Sequence, residues 1–370
     1  MEGTFVNKSV LEVKSLFHDY SADFVDDLNK EMVRVFNHKK VHCIADSNVF
    51  NLHKNRMQYI SNAATFIEIK AEEQNKTIET AHHIMLTLLN NGISKNDFIV
   101  VVGGGLTQDI GAFVANTLKR GIRWYFIPTT LLAMCDSCIG SKYGINMAGY
   151  KNQIGGFWPA SKVLIDIEFL NTLNREDIVS GIGEIFKVHL ISGVDDFKNI
   201  EENHRLMMKD GSVLKSFILR SLEIKKKIVE EDELDKDYRH ILNYGHTFGH
   251  GIESYSNNII PHGIGVTIGM EIANYISLKK GYLAEDIFYK VSSILRQYIP
   301  YASLDFSDHE KMTATLMRDK KYDGKTLNAI LSKGIGRVFK DKINIDDQLL
   351  GFIESYTHYF NKNAMASEEL

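Results

Sequence analysis

Three histidines fall within one 17-residue window, His246, His250 and His262 in HTFGHGIESYSNNIIPH, and an acid, Glu184, stands upstream in SGIGEIFKVH. His246 and His250 are four apart, so a helix through them projects both side chains from one face, about one turn apart. Ser256, Asn257 and Asn258, followed by Pro261, form a turn signal that can fold the chain back and bring His262 to that face. Neutral imidazole nitrogen and carboxylate oxygen suit Zn²⁺, and a catalytic zinc keeps three protein ligands and one open position. Two histidines and Glu184 meet that requirement. The competing reading makes the histidines satisfied core or capping residues. Gly245, Gly249 and Gly251 weigh against it, because glycines weaken a helix and mark the close approach of another group.

A second constellation opens in the first half. The apolar run Phe98 to Val102 passes into Gly103, Gly104 and Gly105, then Leu106, Thr107, Gln108 and Asp109. A strand that enters a glycine turn and then a helix presents backbone N–H groups and a positive helix end to a phosphate. The Gly-x-Gly-x-x-Gly pattern is incomplete, since Gln108 stands at its third glycine. A tight turn with no ligand reads equally well from the glycines alone.

These residues need elements to position them. Segments Val41 to Ala45, Ala63 to Ile69, Phe98 to Val102, Trp124 to Pro128 and Val163 to Ile167 read as strands, alternating with helical Thr77 to Leu89 and Gly111 to Lys119. Such alternation is the signature of a mostly parallel sheet covered by helices. From about Arg175 helical periodicity dominates, with Pro261 and Pro300 as its only prolines. The expected architecture is an α/β nucleotide-binding domain with a mostly parallel sheet over 1–170, followed by a mainly α-helical metal- and substrate-binding domain over 171–370. The triple lysine Lys225 to Lys227 reads as a solvated helix face.

Composition narrows the class. With 370 residues, 44% of them apolar, the chain can bury ample core. A net charge of −4 gives no reason to expect nucleic acid or an anionic membrane as partner. The segment MEGTFVNKSVLEVKSL lacks the pattern of a secretory signal, and no run of 18 apolar residues occurs, so the expectation is a cytoplasmic protein without a membrane span. Three cysteines, Cys43, Cys135 and Cys138, do not make a disulfide framework and read as small apolar fillers.

Several blocks together carry a resemblance: GGGLTQD, RGIRWYFIPTTLLAMCDS, SKYGIN, YKNQIGGF, GIGEIFKVHLI, KKKIVEEDELDKDYRHILNYGHTFGHGIE, PHGIGVTIGM and RDKK. Nearly collinear from Glu73 to Lys321, they resemble the 3-dehydroquinate synthase and wider sugar phosphate cyclase family. The resemblance implies a dehydroquinate synthase-like fold, NAD as cofactor, Zn²⁺ or Co²⁺ as metal, a phosphorylated sugar acid as substrate, and a homodimer. It implies metal ligands at Glu184, His246 and His262. Substrate contacts fall on Asp136, Lys142, Lys187, Lys225, Arg239, Asn243 and His250, with Lys151 and Asn152 beside them. Arg120 matches an arginine that reaches the substrate phosphate, in some members across the dimer interface, and one of Lys320 and Lys321 matches a further substrate lysine. NAD positions fall on Asp46, Asn48, Glu73, Lys76, Gly104, Gly105, Leu106, Asp109, Thr129, Thr130, Leu132, Phe169 and Thr172.

The chemistry so implied converts 3-deoxy-D-arabino-heptulosonate 7-phosphate to 3-dehydroquinate. A hydride passes to NAD⁺, phosphate is eliminated, the hydride returns, and an intramolecular aldol closes the carbocycle, without net use of NAD. Lysine and arginine clamp phosphate and carboxylate, and His250 suits proton transfer. Four positions depart from the family pattern: Gln108, Ser141 and Tyr143 around Lys142, and Ile264, where a glutamate that could orient a ligand is usual. They leave open a sibling cyclase of a specialised pathway, of aminodehydroquinate, 2-deoxy-scyllo-inosose or epi-valiolone type. Arg239 and Asn243 favour dehydroquinate synthase over the inosose type. A metal- and NAD-dependent polyol dehydrogenase and a silent binding protein are further alternatives.

Overall fold

The computed structural model describes residues 10–148, 150–318, 322 and 324–363. Lys320 and Lys321 lie outside them. The chain divides into two compact units, one of Met1–Leu173 with Lys225–Leu234, the other of Asn174–Ile224 with Asp235–Leu370.

Among the described residues the first unit contains nine strands: β1 Val10–Val13, β2 Tyr20–Phe24, β3 Val41–Asp46, β4 Thr65–Ile69, β5 Phe98–Gly103, β6 Arg123–Pro128, β7 Lys142–Met147, β8 Tyr150–Phe157 and β9 Lys162–Ile165. Seven form one sheet in the order β1-β2-β9-β6-β5-β3-β4. Only β1 and β2 pair antiparallel; the other neighbours are parallel, as the α/β alternation requires. β5 is buried at every position, as expected of a central strand covered on both faces.

The connections explain where a ligand would lie. From β3 the chain moves outward to β4, whereas from β5 it moves the other way, to β6. β3 and β5 are hydrogen-bonded neighbours, so the order reverses between them and leaves a crevice at their carboxyl ends. Asp46 and the Gly103-Gly104-Gly105 turn sit at those ends. The helix after β5 spans Gly105–Thr117, beginning six residues before the periodicity suggested, because its first turn is polar and glycine-rich. The β1–β2 hairpin and the antiparallel β7–β8 pair escape the sequence reading. β8 is mostly exposed and shows no alternation of apolar residues.

The second unit is mainly helical, as expected, with one antiparallel pair, β10 Thr326–Ser332 and β11 Val338–Asn344. At its centre lies the helix His262–Lys279, buried at every position from Gly263 to Ser277. Apolar residues lie on all its sides, with Thr267, Glu271, Asn274 and Ser277 buried among them, and such a helix must be surrounded. Glycines let its neighbours approach to backbone contact. A Cβ on Gly263 would stand 1.8 Å from Ser180 O, on the helix Arg175–Ser192, and one on Gly269 would stand 2.0 Å from Gly245 O. The glycines around the histidines therefore serve helix packing. Among the described residues no helix is long and apolar enough to cross a membrane, and Cys43, Cys135 and Cys138 are buried thiols outside any disulfide.

Candidate active site

The helix His246–Tyr255 carries His246 and His250 one turn apart. After it, Asn257 and Asn258 both adopt left-handed backbone, at φ 53° and 62°, and turn the chain. Pro261 then opens the central helix, placing His262 at its first position. The three imidazoles meet: ring centroids are 5.4 Å apart for His246 and His250, 5.2 Å for His246 and His262, and 5.6 Å for His250 and His262. One ligating nitrogen from each lies within 4.8 Å of the others.

Glu184 reaches the same point from the helix Arg175–Ser192. Its Oε1 is 3.6 Å from His246 Nε2 and 3.3 Å from His262 Nε2, and its Oε2 contacts Lys187 Nζ. Glu184 is only 1% exposed; the Lys187 ammonium faces its Oε2, while its Oε1 looks onto the two imidazole nitrogens. A buried carboxylate is costly unless a positive charge faces it. Imidazole nitrogens and carboxylate oxygen converging on one point supply the donor set of a divalent cation such as zinc or cobalt, so the residues present fit the group.

Behind the imidazoles, His262 Nδ1 donates to Glu253 Oε1 at 2.8 Å, and His246 Nδ1 donates to Tyr244 O at 3.4 Å. Burial works against a charged His262, but the Glu253 and Glu184 carboxylates outweigh it and raise its pKa to about 10. Binding of a cation at Nε2 must then release a proton.

In the first unit the predicted nucleotide positions gather at the carboxyl edge of the sheet. Gly104 caps the helix Gly105–Thr117 without a side chain, and a Cβ there would lie 2.9 Å from Thr130 Cγ2. A bare first helical turn and a glycine cradle fit a dinucleotide phosphate. Asp46 caps the helix Ser47–Leu52 by accepting from Asn48 N at 2.9 Å. Lys76, buried, donates to Asp109 at 2.9 Å and to Asn152 at 2.5 Å, and Glu73 accepts from Asn146 at 2.7 Å. Burial pushes the Asp109 carboxyl up, and Lys76 offsets part of that. Phe169 packs edge-on to His53, whose Nε2 is 2.7 Å from Thr172 Oγ1. Thr129 is buried, whereas Leu106 and Leu132 are half-buried.

Of the substrate positions, Lys225 and Asp136 form an ion pair at 2.5 Å within the first unit, so Lys225 is buried and not part of a solvated face. Lys142 and Lys151 are exposed on β7 and β8. Arg120 is exposed, with its backbone left-handed at φ 60°. In the second unit Lys187 and Arg239 are buried, and Asn243 ends the turn Tyr238–Asn243.

The departures also find physical accounts. Gln108 exchanges two hydrogen bonds with Ser137: its Nε2 donates to Ser137 O at 2.7 Å, and Ser137 Oγ donates to its Oε1 at 2.6 Å. Tyr143 turns away from the side of β7 that carries Lys142, and its hydroxyl accepts from Asn116 at 2.5 Å. Ile264 is fully buried. The sequence reading missed Glu253 and His53. Glu253 is three residues after His250 and seven after His246, a spacing that places it on their helix face.

Comparison with known proteins agrees with this geometry. Residues 66–180 match the model of the 3-dehydroquinate synthase N-terminal region, and residues 181–322 that of the C-terminal region. A 3-dehydroquinate synthase of Parabacteroides distasonis is 34% identical over 300 residues, covering 80% of this chain and 85% of the relative. One of Caldanaerobacter subterraneus subsp. tengcongensis is 33% identical over 360 residues, covering 93% and 99%. Among solved structures, 2-deoxy-scyllo-inosose synthase complexed with carbaglucose-6-phosphate, NAD⁺ and Co²⁺ superposes with a TM-score of 0.83 at 23% identity, covering 94% of this chain and 99% of the other. ValA, a 2-epi-5-epi-valiolone synthase from Streptomyces hygroscopicus subsp. jinggangensis 5008 with NAD⁺ and Zn²⁺ bound, gives 0.80 at 24%, covering 95% and 99%. Matched over both halves by the same family, the chain belongs to the 3-dehydroquinate synthase family.

Proposed function

We propose that this protein is a phosphate-eliminating, carbocycle-forming lyase that converts 3-deoxy-D-arabino-heptulosonate 7-phosphate to 3-dehydroquinate. The observation that carries the reading is the buried Glu184 carboxylate facing His246 and His262, in a chain of this family. Glu184, His246 and His262 would hold the divalent metal, and the Gly104 turn with Asp46, Asn48, Glu73, Lys76, Gly105, Leu106, Asp109, Thr129, Thr130, Leu132, Phe169 and Thr172 would hold NAD. When bound, the metal supplies polarisation of adjacent substrate oxygens, and NAD supplies a hydride acceptor that is restored at the end.

The chain's own residues bind and orient. In the first unit Asp136, Lys142, Lys151, Asn152, Lys225 and Arg120 are assigned to substrate, and in the second Lys187, Arg239, Asn243 and His250. Ammonium and guanidinium groups neutralise phosphate and carboxylate. His250, beside the metal ligands, is the group to move a proton. A homodimer acting in the cytoplasm is part of the same proposal.

A second reading, a sibling cyclase with a different sugar phosphate, draws support from Ser141. This non-glycine residue has φ 58°, and its Oγ is buried with no hydrogen-bond partner, immediately before Lys142. A polar atom kept there at a backbone cost suits a substrate oxygen. Phosphate release from metal-loaded protein with NAD⁺ and 3-deoxy-D-arabino-heptulosonate 7-phosphate, with the product identified by mass spectrometry, tests the first reading. Stoichiometric phosphate and dehydroquinate without accumulating NADH is the expected result. Release only from sedoheptulose 7-phosphate or glucose 6-phosphate moves the chain to the sibling cyclases, and net NADH makes it a dehydrogenase.

A further inference from the structure

His246 and His262 turn the same ring nitrogen, Nε2, toward Glu184, but what stands behind each ring differs. His246 Nδ1 meets the Tyr244 carbonyl, at 3.4 Å, whereas His262 Nδ1 meets the Glu253 carboxylate, at 2.8 Å. A carboxylate is a full charge where a carbonyl is a dipole. It pins the Nδ1–H tautomer, fixes the plane of the ring and makes Nε2 the stronger electron-pair donor.

Glu253 is set up for this task. It is 8% exposed, on the helix that carries His246 and His250. Room for it comes from Gly265 on the central helix, where a Cβ would stand 3.3 Å from Glu253 Cγ and 3.7 Å from Oε1. Position 264, next to His262 in the chain, is a buried isoleucine, and Glu253 is the carboxylate that meets His262 Nδ1.

We propose that Glu253 is a positioning residue for the metal centre: through His262 Nδ1 it fixes the imidazole that ligates the cation and raises the affinity of the site. The proposal rests on the metal reading of Glu184, His246 and His262. It concerns binding and not turnover, so affinity is the readout.

Co²⁺ and Zn²⁺ affinity, by competition with a chromophoric chelator, and the visible Co²⁺ absorption band are measured for the wild-type chain, E253A, E253Q and G265A. In E253A affinity falls by about 10- to 100-fold and the Co²⁺ band shifts. E253Q keeps an acceptor for Nδ1–H without the charge and falls between E253A and wild type. G265A weakens binding in the same direction by crowding the carboxylate. E253A within twofold of wild type, with an unchanged Co²⁺ band, overturns the proposal. If E253A does not fold, E253Q and G265A both within twofold of wild type overturn it. Failure of the wild-type chain to bind Co²⁺ at all is a different result, and sinks the metal reading itself.

Discussion

Both units pair buried lysines with carboxylates, but the second also gathers imidazoles around its pair. In the first, cations meet carboxylates of their own unit: Lys76 with Asp109 at 2.9 Å and Lys225 with Asp136 at 2.5 Å. In the second, three imidazoles and two carboxylates, Glu184 and Glu253, converge with Lys187 as the lysine in contact with Glu184. On the proposed function, the first unit would bind an organic ligand by exchanging one set of ion pairs for another. The second brings imidazoles and carboxylates to one point, a donor set that a cation would satisfy by displacing the proton held at His262. A paired charge is stable without a ligand, whereas a convergent donor set points to one.

The comparison can be broken at several points. His246→Ala removes a donor from the convergent set, and phosphate release is expected to fall about a thousandfold, ~4 kcal/mol of barrier, with little change in melting temperature. Lys225→Met strands Asp136 and should lower stability to urea by about 3 kcal/mol. Adding Asp136→Asn should recover most of that loss, and a double variant no more stable than Lys225→Met would show that the two are not a pair.

Glu271 offers a contrast inside the second unit, a fully buried carboxylate away from the imidazoles. Burial raises its pKa from 4.5 to about 7, and the bond from Ser292 only partly opposes this. Folded Glu271 thus stays protonated where the unfolded chain ionises, so stability is lost as pH rises from 4.5 through about 7. Glu271→Gln has no proton to lose and should gain on wild type across that window, by about 3 kcal/mol at pH 8 and nothing below pH 4. Denaturation at both pH values measures it. Gly104→Ala should have the smallest effect: about tenfold weaker NAD⁺ binding by calorimetry, as its Cβ meets Thr130. Co²⁺ affinity should not move, and parallel losses would erase the distinction between the two regions.

Much of this was legible in the residues. The parallel sheet could be read from apolar runs such as β5, and the histidine cluster from His246, His250, two asparagines and Pro261. Contacts set by tertiary packing could not be read. Glu253 carried a signal, its helical spacing from His246 and His250, but which imidazole it serves depends on the return of the chain at Pro261. Gln108 read as a lost glycine, and its two bonds to Ser137 are visible only once the helix and the turn are folded together. Lys225 read as solvated because its pair Asp136 is 89 residues away.

A metal site at Glu184, His246 and His262 must show itself in a Co²⁺ titration of the metal-stripped chain. One Co²⁺ per chain with visible absorption is expected in the wild type, lost in E184Q and in H262A while circular dichroism is unchanged. Stoichiometric binding retained in both variants would contradict the account.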